Sequence, residues 1–184
     1  MKIIAFTGAG ISKSAGIPTF QEVKGIKEKL SLDYKNAHPE EYNQVRNNMI
    51  EKMKDKEPTI AHKVLADLQI PIITMNIDCL HQKAGSRLVY QIHGNYKSDN
   101  IVLYGQDILF REESLNLIIQ TAKQAQKFGE EAILLVIGTS MQTAFANILV
   151  WVAEEYGMKV HYINENADEE VPKFLKEHAF LARN

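Results

Sequence analysis

The sequence predicts an α/β fold in which a parallel sheet carries helices on both faces, and three observations support that expectation. Short runs rich in Ile, Val and Leu recur along the chain, stretches with apolar residues three or four apart lie between several of them, and a glycine-rich turn directly follows the first run. Runs apolar on both faces belong in a sheet covered on both sides, and alternation of strand and helix is the pattern of a parallel sheet.

The first strand is read at Lys2 to Phe6. It leads into Thr7-Gly8-Ala9-Gly10-Ile11-Ser12-Lys13-Ser14-Ala15-Gly16-Ile17-Pro18, which places three glycines within nine positions. Glycines there can take positive φ and bring main-chain N–H groups close to a phosphate, and a helix expected to start near Ser12 would add its positive end. The spacing matches neither the dinucleotide fingerprint nor the P-loop, so on residues alone the turn is either a phosphate cradle or a bare strand-to-helix connection. Residues 21–57 differ in character, being rich in Lys, Glu and Asn with a breaker at His38-Pro39, and read as a small helical lobe or lid. A helical pattern over Ile60 to Leu68 precedes strands expected at Ile70 to Thr74, Leu88 to Ile92 and Ile101 to Tyr104. A second, Leu115 to Phe128, precedes a strand at Ala132 to Ile137. A third, Ala146 to Tyr156, precedes the last strand at Lys159 to Ile163. Phe145, Leu149 and Trp151 are expected in the core, and His161 is expected to pack among its apolar neighbours.

Size and composition bound the function. At 184 residues the chain is long enough for one compact domain over 1–184. With 45% hydrophobic and 24% charged residues and a net charge of -2, no electrostatic footprint for nucleic acid is present. The single cysteine, Cys79, permits neither an intrachain disulfide nor a four-cysteine zinc site, and it reads as a small buried residue. No metal site is proposed. Only four apolar residues separate Met1-Lys2 from the glycine loop, and no run approaches the roughly 20 apolar residues of a membrane span, so a cytoplasmic location is expected.

In an open parallel sheet, ligands bind beyond the carboxyl ends of the strands. Five such junctions carry polar residues: the glycine loop, Asn76-Ile77-Asp78, His93-Gly94-Asn95, Gly138-Thr139-Ser140 and Asn164-Glu165-Asn166. Singly, Asn76 and Asp78 could be helix caps and His93 a structural histidine. Together they are expected along one rim.

These clusters resemble the sirtuins, the NAD-dependent protein deacylases. The resemblance rests on Gly8-Ala9-Gly10-Ile11-Ser12 with Gly16-Ile17-Pro18 and Phe20, and on Pro58, Ala61-His62, Leu65, Ala66 and Leu68. It rests further on Thr74, Asn76-Ile77-Asp78, Leu80-His81 and Ala84-Gly85-Ser86 followed by His93-Gly94-Asn95, and on Val102 to Gly105, Gly138-Thr139-Ser140 and Ile163-Asn164. It implies a Rossmann-like fold and NAD as cofactor. Gly8, Ala9, Gly10, Thr139 and Ser140 would hold the pyrophosphate and adjoining ribose, with Ile11, Ser12, Phe20, Gln21, Ile77, Gly138 and Glu165 also in the cofactor site. Asn164 would meet the adenosine ribose. Asn76 and Asp78 would line the nicotinamide pocket, and His93 would be the general base. The implied partner is an acyl-lysine protein or peptide. Alternatives are an NAD glycohydrolase or ADP-ribosyltransferase, and a non-catalytic binder of NAD or ADP-ribose. The chain departs from the family pattern where most members carry a zinc ribbon, since only Tyr96-Lys97-Ser98-Asp99-Asn100 stands there, which implies loss of one wall of the peptide groove. Gln21, Met75 and Gln106 replace the usual arginine, glutamine and glutamate.

Overall fold

The computed structural model describes residues 1–19, 22, 25–98 and 100–179, so the expectations for Phe20 and Gln21 lie outside the described residues. Strand β1 (Lys2–Thr7) runs into a 3₁₀ helix (Ala9–Ala15), followed by α1 (Ile26–Lys29), α2 (Leu32–Ala37), α3 (Pro39–Met53) and α4 (Ile60–Asp67). Then come β2 (Ile72–Thr74), α5 (Leu80–Ala84), β3 (Val89–Gln91), α6 (Arg111–Lys127), β4 (Ala132–Ile137), α7 (Ala144–Glu155), β5 (Lys159–Ile163) and α8 (Ala167–Ala179).

The five strands form one sheet in the order β3-β2-β1-β4-β5, and every neighbouring pair is parallel. Successive strands step outward from β1 to β3, and the chain then crosses back to lay β4 against the other side of β1. This reversal is the switch point at which loops part and leave a crevice. Register brings Thr7 level with Thr74 on one side and with Ile137 on the other, so the loops after β1, β2 and β4 emerge at one height.

Both sheet faces are covered, as the apolar strands require. Ile4, Phe6, Leu134 and Val136 face α6 and α7 through Ile118, Phe145 and Leu149. Ala5, Ile72, Leu135 and Ile137 face α4 and α8 through Leu65, Val171 and Leu175. Helices α1–α3 rest on two smaller clusters, one of Ile17, Met53, Ile77 and Leu80 and one of Ile26, Leu30, Tyr42 and Leu103.

Four expectations are corrected. Residues 101–104 do not add a strand to the sheet: Tyr104 exchanges backbone hydrogen bonds with Leu30 and Leu32, both 3.0 Å, and Leu103 is buried beneath α1 and α3. The helix after the glycine loop is 3₁₀ and begins at Ala9, earlier than Ser12. Strand β5 lies at the sheet edge and is largely exposed, with His161 exposed and stacked on Phe174 of α8 at 4.4 Å. Trp151, on the outer side of α7, is 60% exposed and lies outside the core.

Candidate active site

The crevice is built by two loops pressed together without side chains. Gly8 N–H donates to Ile137 O (2.9 Å) and Gly10 N–H to Gly138 O (2.8 Å), locking the loop after β1 to the loop after β4. A Cβ on Gly10 would stand 2.6 Å from the Gly138 Cα, and Gly138 itself has a φ of 60°, so both positions require glycine. Several backbone donors here are already committed, since Ile11 N–H reaches Gly8 O at 3.2 Å and Thr139 N–H reaches the Asn164 side chain at 3.1 Å.

Beneath the rim lies a polar floor. The Thr74 hydroxyl donates to Thr7 O (3.4 Å) and the Thr7 hydroxyl to Thr74 Oγ1 (2.8 Å), leaving Thr7 Oγ1 to accept from His81 Nε2 at 2.9 Å. Thr74 Oγ1 also accepts the Asn76 N–H at 3.0 Å. His81 packs against His62 with the rings tilted and their centroids 4.5 Å apart, and His62 Nδ1 meets Thr59 Oγ1 at 2.8 Å. Burial holds both imidazoles below their usual range, His62 at about 4 and His81 well below 6.5.

Asn76 follows β2 and bridges the loops. Its Nδ2 donates to Gly8 O and to Ser12 Oγ, both at 3.1 Å, and because a carbonyl can only accept, these contacts orient the amide. Its Oδ1 is left for an incoming donor. Ser12 in turn donates to Asp78 Oδ2 at 2.6 Å, while Asp78 Oδ1 accepts the Leu80 N–H at 3.0 Å. Asp78 is buried, and that burial raises its carboxyl above the usual value despite these hydrogen bonds. Between Asp78 and α5, Cys79 is buried and turns the chain with a φ of 60°.

His93 stands just past β3. Ile92 N–H donates to Thr74 O (3.0 Å) and Val102 N–H to His93 O (2.9 Å), which fixes the histidine beside the Asn76 loop. Burial lowers its pKa below 6.5, with the Met75 backbone opposing. The connector that follows closes on itself: Asn95 Oδ1 accepts the N–H groups of Lys97 (3.0 Å) and Ser98 (2.9 Å), and Asn95 N–H reaches Asn100 Oδ1 at 3.0 Å.

Two adjoining cavities result. The larger, of about 760 Å³, is lined by Ala9, Gly10, Asn76, His93, Thr139 and Ser140, and also by Ile77, Gly138 and Asn164. The smaller, of about 250 Å³, lies under Ala9, Ser12, Asn76, Ile77 and Asp78. Gly8, Ile11 and Glu165 line neither. Gly8 is buried below the loop, and Ile11 packs into the core. Sequence reading missed Lys27, Arg111 and Gln142, which also line the larger cavity. It missed Asp168 as well, which accepts from Ser14 Oγ (2.6 Å) and from Ala61 N–H (2.9 Å). Their signal is tertiary: none lies in a motif.

Comparison with known proteins bears on this geometry. A model of the Sir2 family matches residues 8–102. The chain is 36% identical over 121 residues to NAD-dependent protein deacetylase 2 of Caldanaerobacter subterraneus subsp. tengcongensis, covering 59% of this chain and 48% of that protein. It is 41% identical over 102 residues to the NAD-dependent protein deacetylase of Thermotoga maritima, covering 50% and 42%. In these two relatives it spans less than half of their length. The NAD-dependent protein deacylase of Aeropyrum pernix is 30% identical over 197 residues, covering 88% of this chain and 80% of that one. Among solved structures, a mutant Sir2 homologue in complex with ADP-ribose superposes with a TM-score of 0.83 at 20% identity, covering 100% of this chain and 94% of that chain, a likeness of fold. A relative aligned along most of the chain and a family model that runs from the glycine loop after β1 through β2 and β3 lead to one conclusion, that this chain belongs to the Sir2 family.

Proposed function

We propose that the chain is a cytoplasmic, NAD-consuming protein-lysine deacylase that releases nicotinamide and O-acyl-ADP-ribose. The observation that carries this reading is the juxtaposition of His93 and Asn76 in one cavity with the Gly10–Gly138 cradle. Relatives bearing the names NAD-dependent protein deacetylase and deacylase support it, and one similar structure is described as a Sir2 complex with p53 peptide and NAD+.

The residues fit the cofactor: a glycine-on-glycine contact that sets the two loops side by side at the cavity wall, hydroxyls at Thr139 and Ser140, and a second cavity under Asn76 and Asp78. NAD would supply an anomeric carbon with nicotinamide as leaving group. Ala9, Gly10, Thr139 and Ser140 would hold its phosphates, with Asn164 orienting Thr139 from below. Asn76 would present its carbonyl oxygen to a donor in the smaller cavity, and Asp78, held by Ser12, would favour positive charge developing nearby. His93, kept neutral by burial, would accept a proton from a ribose hydroxyl, so it acts as base near neutral pH. The helices α1–α3 fall within 21–57 and support reading that segment as a small lobe or lid, with Leu30 lining the larger cavity and Ile26 the smaller.

Incubation with NAD and acyl-lysine peptides, with products identified by mass, tests the reading. Peptide-dependent release of nicotinamide with an equal yield of O-acyl-ADP-ribose is expected. The stretch from Tyr96 to Asn100, standing where most sirtuins carry the zinc ribbon that walls the peptide groove, favours a second reading, NAD glycohydrolysis. Nicotinamide release at the same rate without any acyl acceptor would select it.

A further inference from the structure

We propose that Lys27 supplies the counter-charge for the diphosphate of the bound dinucleotide, an inference that rests on the NAD reading above. A diphosphate brings two negative charges, yet the cradle residues Ala9, Gly10, Gly138, Thr139 and Ser140 carry none. The backbone offers less than a glycine loop usually does. Gly8, Gly10, Ile11 and Thr139 N–H groups are spent on Ile137, Gly138, Gly8 and Asn164. A cationic side chain also brings what a backbone N–H cannot, a full positive charge opposite the two negative ones.

Among the described residues, three cationic side chains line the larger cavity: Lys13, Lys27 and Arg111. Lys13 is neutralised by Glu22, with Nζ 3.0 Å from Oε1. Arg111 lies over the Phe145 ring at 5.2 Å, at the start of α6. Lys27, on α1, instead donates from Nζ to Gln142 Oε1 at 2.5 Å. Gln142 sits two residues beyond Ser140, so this contact brings the ammonium to the phosphate-facing loop itself. The amide is neutral and leaves the positive charge uncancelled. Of the carboxylates lining the cavity, Glu22 is bound to Lys13 and to the Thr19 N–H (2.8 Å), and Asp107 lies on the stretch leading to α6. Lys27 is exposed, so it can follow an arriving phosphate, and the same contact ties α1 to the loop after β4.

The test is titration of the intact chain with ADP-ribose at low and high salt, comparing wild type, Lys27→Gln, Lys27→Arg and the distant control Lys63→Gln on α4. Lys27→Gln is expected to weaken ADP-ribose binding about three- to tenfold at low salt and to flatten its salt dependence. Lys27→Arg should keep most of the affinity, and Lys63→Gln all of it. Unchanged affinity in Lys27→Gln, or a loss of equal size at both salt concentrations, would overturn the role of Lys27. Failure of the wild-type chain to bind ADP-ribose would overturn the NAD reading, and the inference with it.

Discussion

At the scale of single residues, protonation separates the histidines. His93 is buried enough to sit below 6.5 yet lines the cavity, so its base form predominates at neutral pH. The acid limb of kcat/KM should therefore fall below pH 6.5, and a profile with its midpoint above 7 would contradict His93 as the base. His93→Ala should reduce turnover by about 10²–10⁴-fold while ADP-ribose still binds, as titration and rate measurements on the same preparation would show. His62 acts on stability. Its folded pKa, about 4 against 6.5 for a free imidazole, means that the unfolded chain takes up the proton first. Stability is then full above 6.5 and declines as pH falls towards 4, by up to about 3 kcal/mol. His62→Gln should flatten that decline in urea unfolding followed against pH. An unchanged slope would remove His62 as its source, although His81 titrates in the same direction.

At the scale of elements, the loops after β1 and β4 act as one part. Gly10→Ala or Gly138→Ala places a methyl group against backbone that cannot move aside, and should cost about 1–3 kcal/mol together with ADP-ribose binding. Gly25→Ala meets no atom within 4 Å and faces only the strain of its positive φ, so it should fold with ADP-ribose binding retained. Melting temperatures and titrations of the three variants would separate the cases. The elements were unevenly legible. Residues 2–7 and 132–137 carry their strand character in uninterrupted apolar runs, and the structure places strands there. Residues 101–104 carry the same signal, but their backbone partners are Leu30 and Leu32, a long-range pairing that no local pattern encodes. Helix α8 went unread because Pro172 interrupts its interior, a residue that normally ends a helix. Trp151 followed the apolar periodicity of α7 but fell outside the buried arc, which periodicity bounds only loosely.

At the scale of the whole molecule, all five polar junctions come together because five parallel strands end on one side. That gathering was expected from the alternation of strands and helices together with the polar residues after each strand. Its support was not: Asp168, at the start of α8, holds both Ser14 and the first turn of α4, joining the end of the chain to the loop near its beginning. Burial alone would raise the Asp168 carboxyl, but the hydrogen bonds from Ser14 and Ala61 outweigh it and hold the group below its usual value. Asp168→Ala should therefore loosen the 3₁₀ helix and raise the KM for NAD with a smaller effect on kcat. Asp168→Asn, which keeps an acceptor, should restore much of the difference in steady-state kinetics.

The shared rim has a thermodynamic consequence. Because residues from Ala9 to Asn164 meet only when every strand is in place, no fragment of the fold retains the pocket, and occupancy is linked to global unfolding. Ligand at about 100 times its Kd should add about 2.7 kcal/mol to the unfolding free energy. Fluorescence of Trp151, exposed on α7 and lining neither cavity, should register that increase as fully as any probe beside the phosphates.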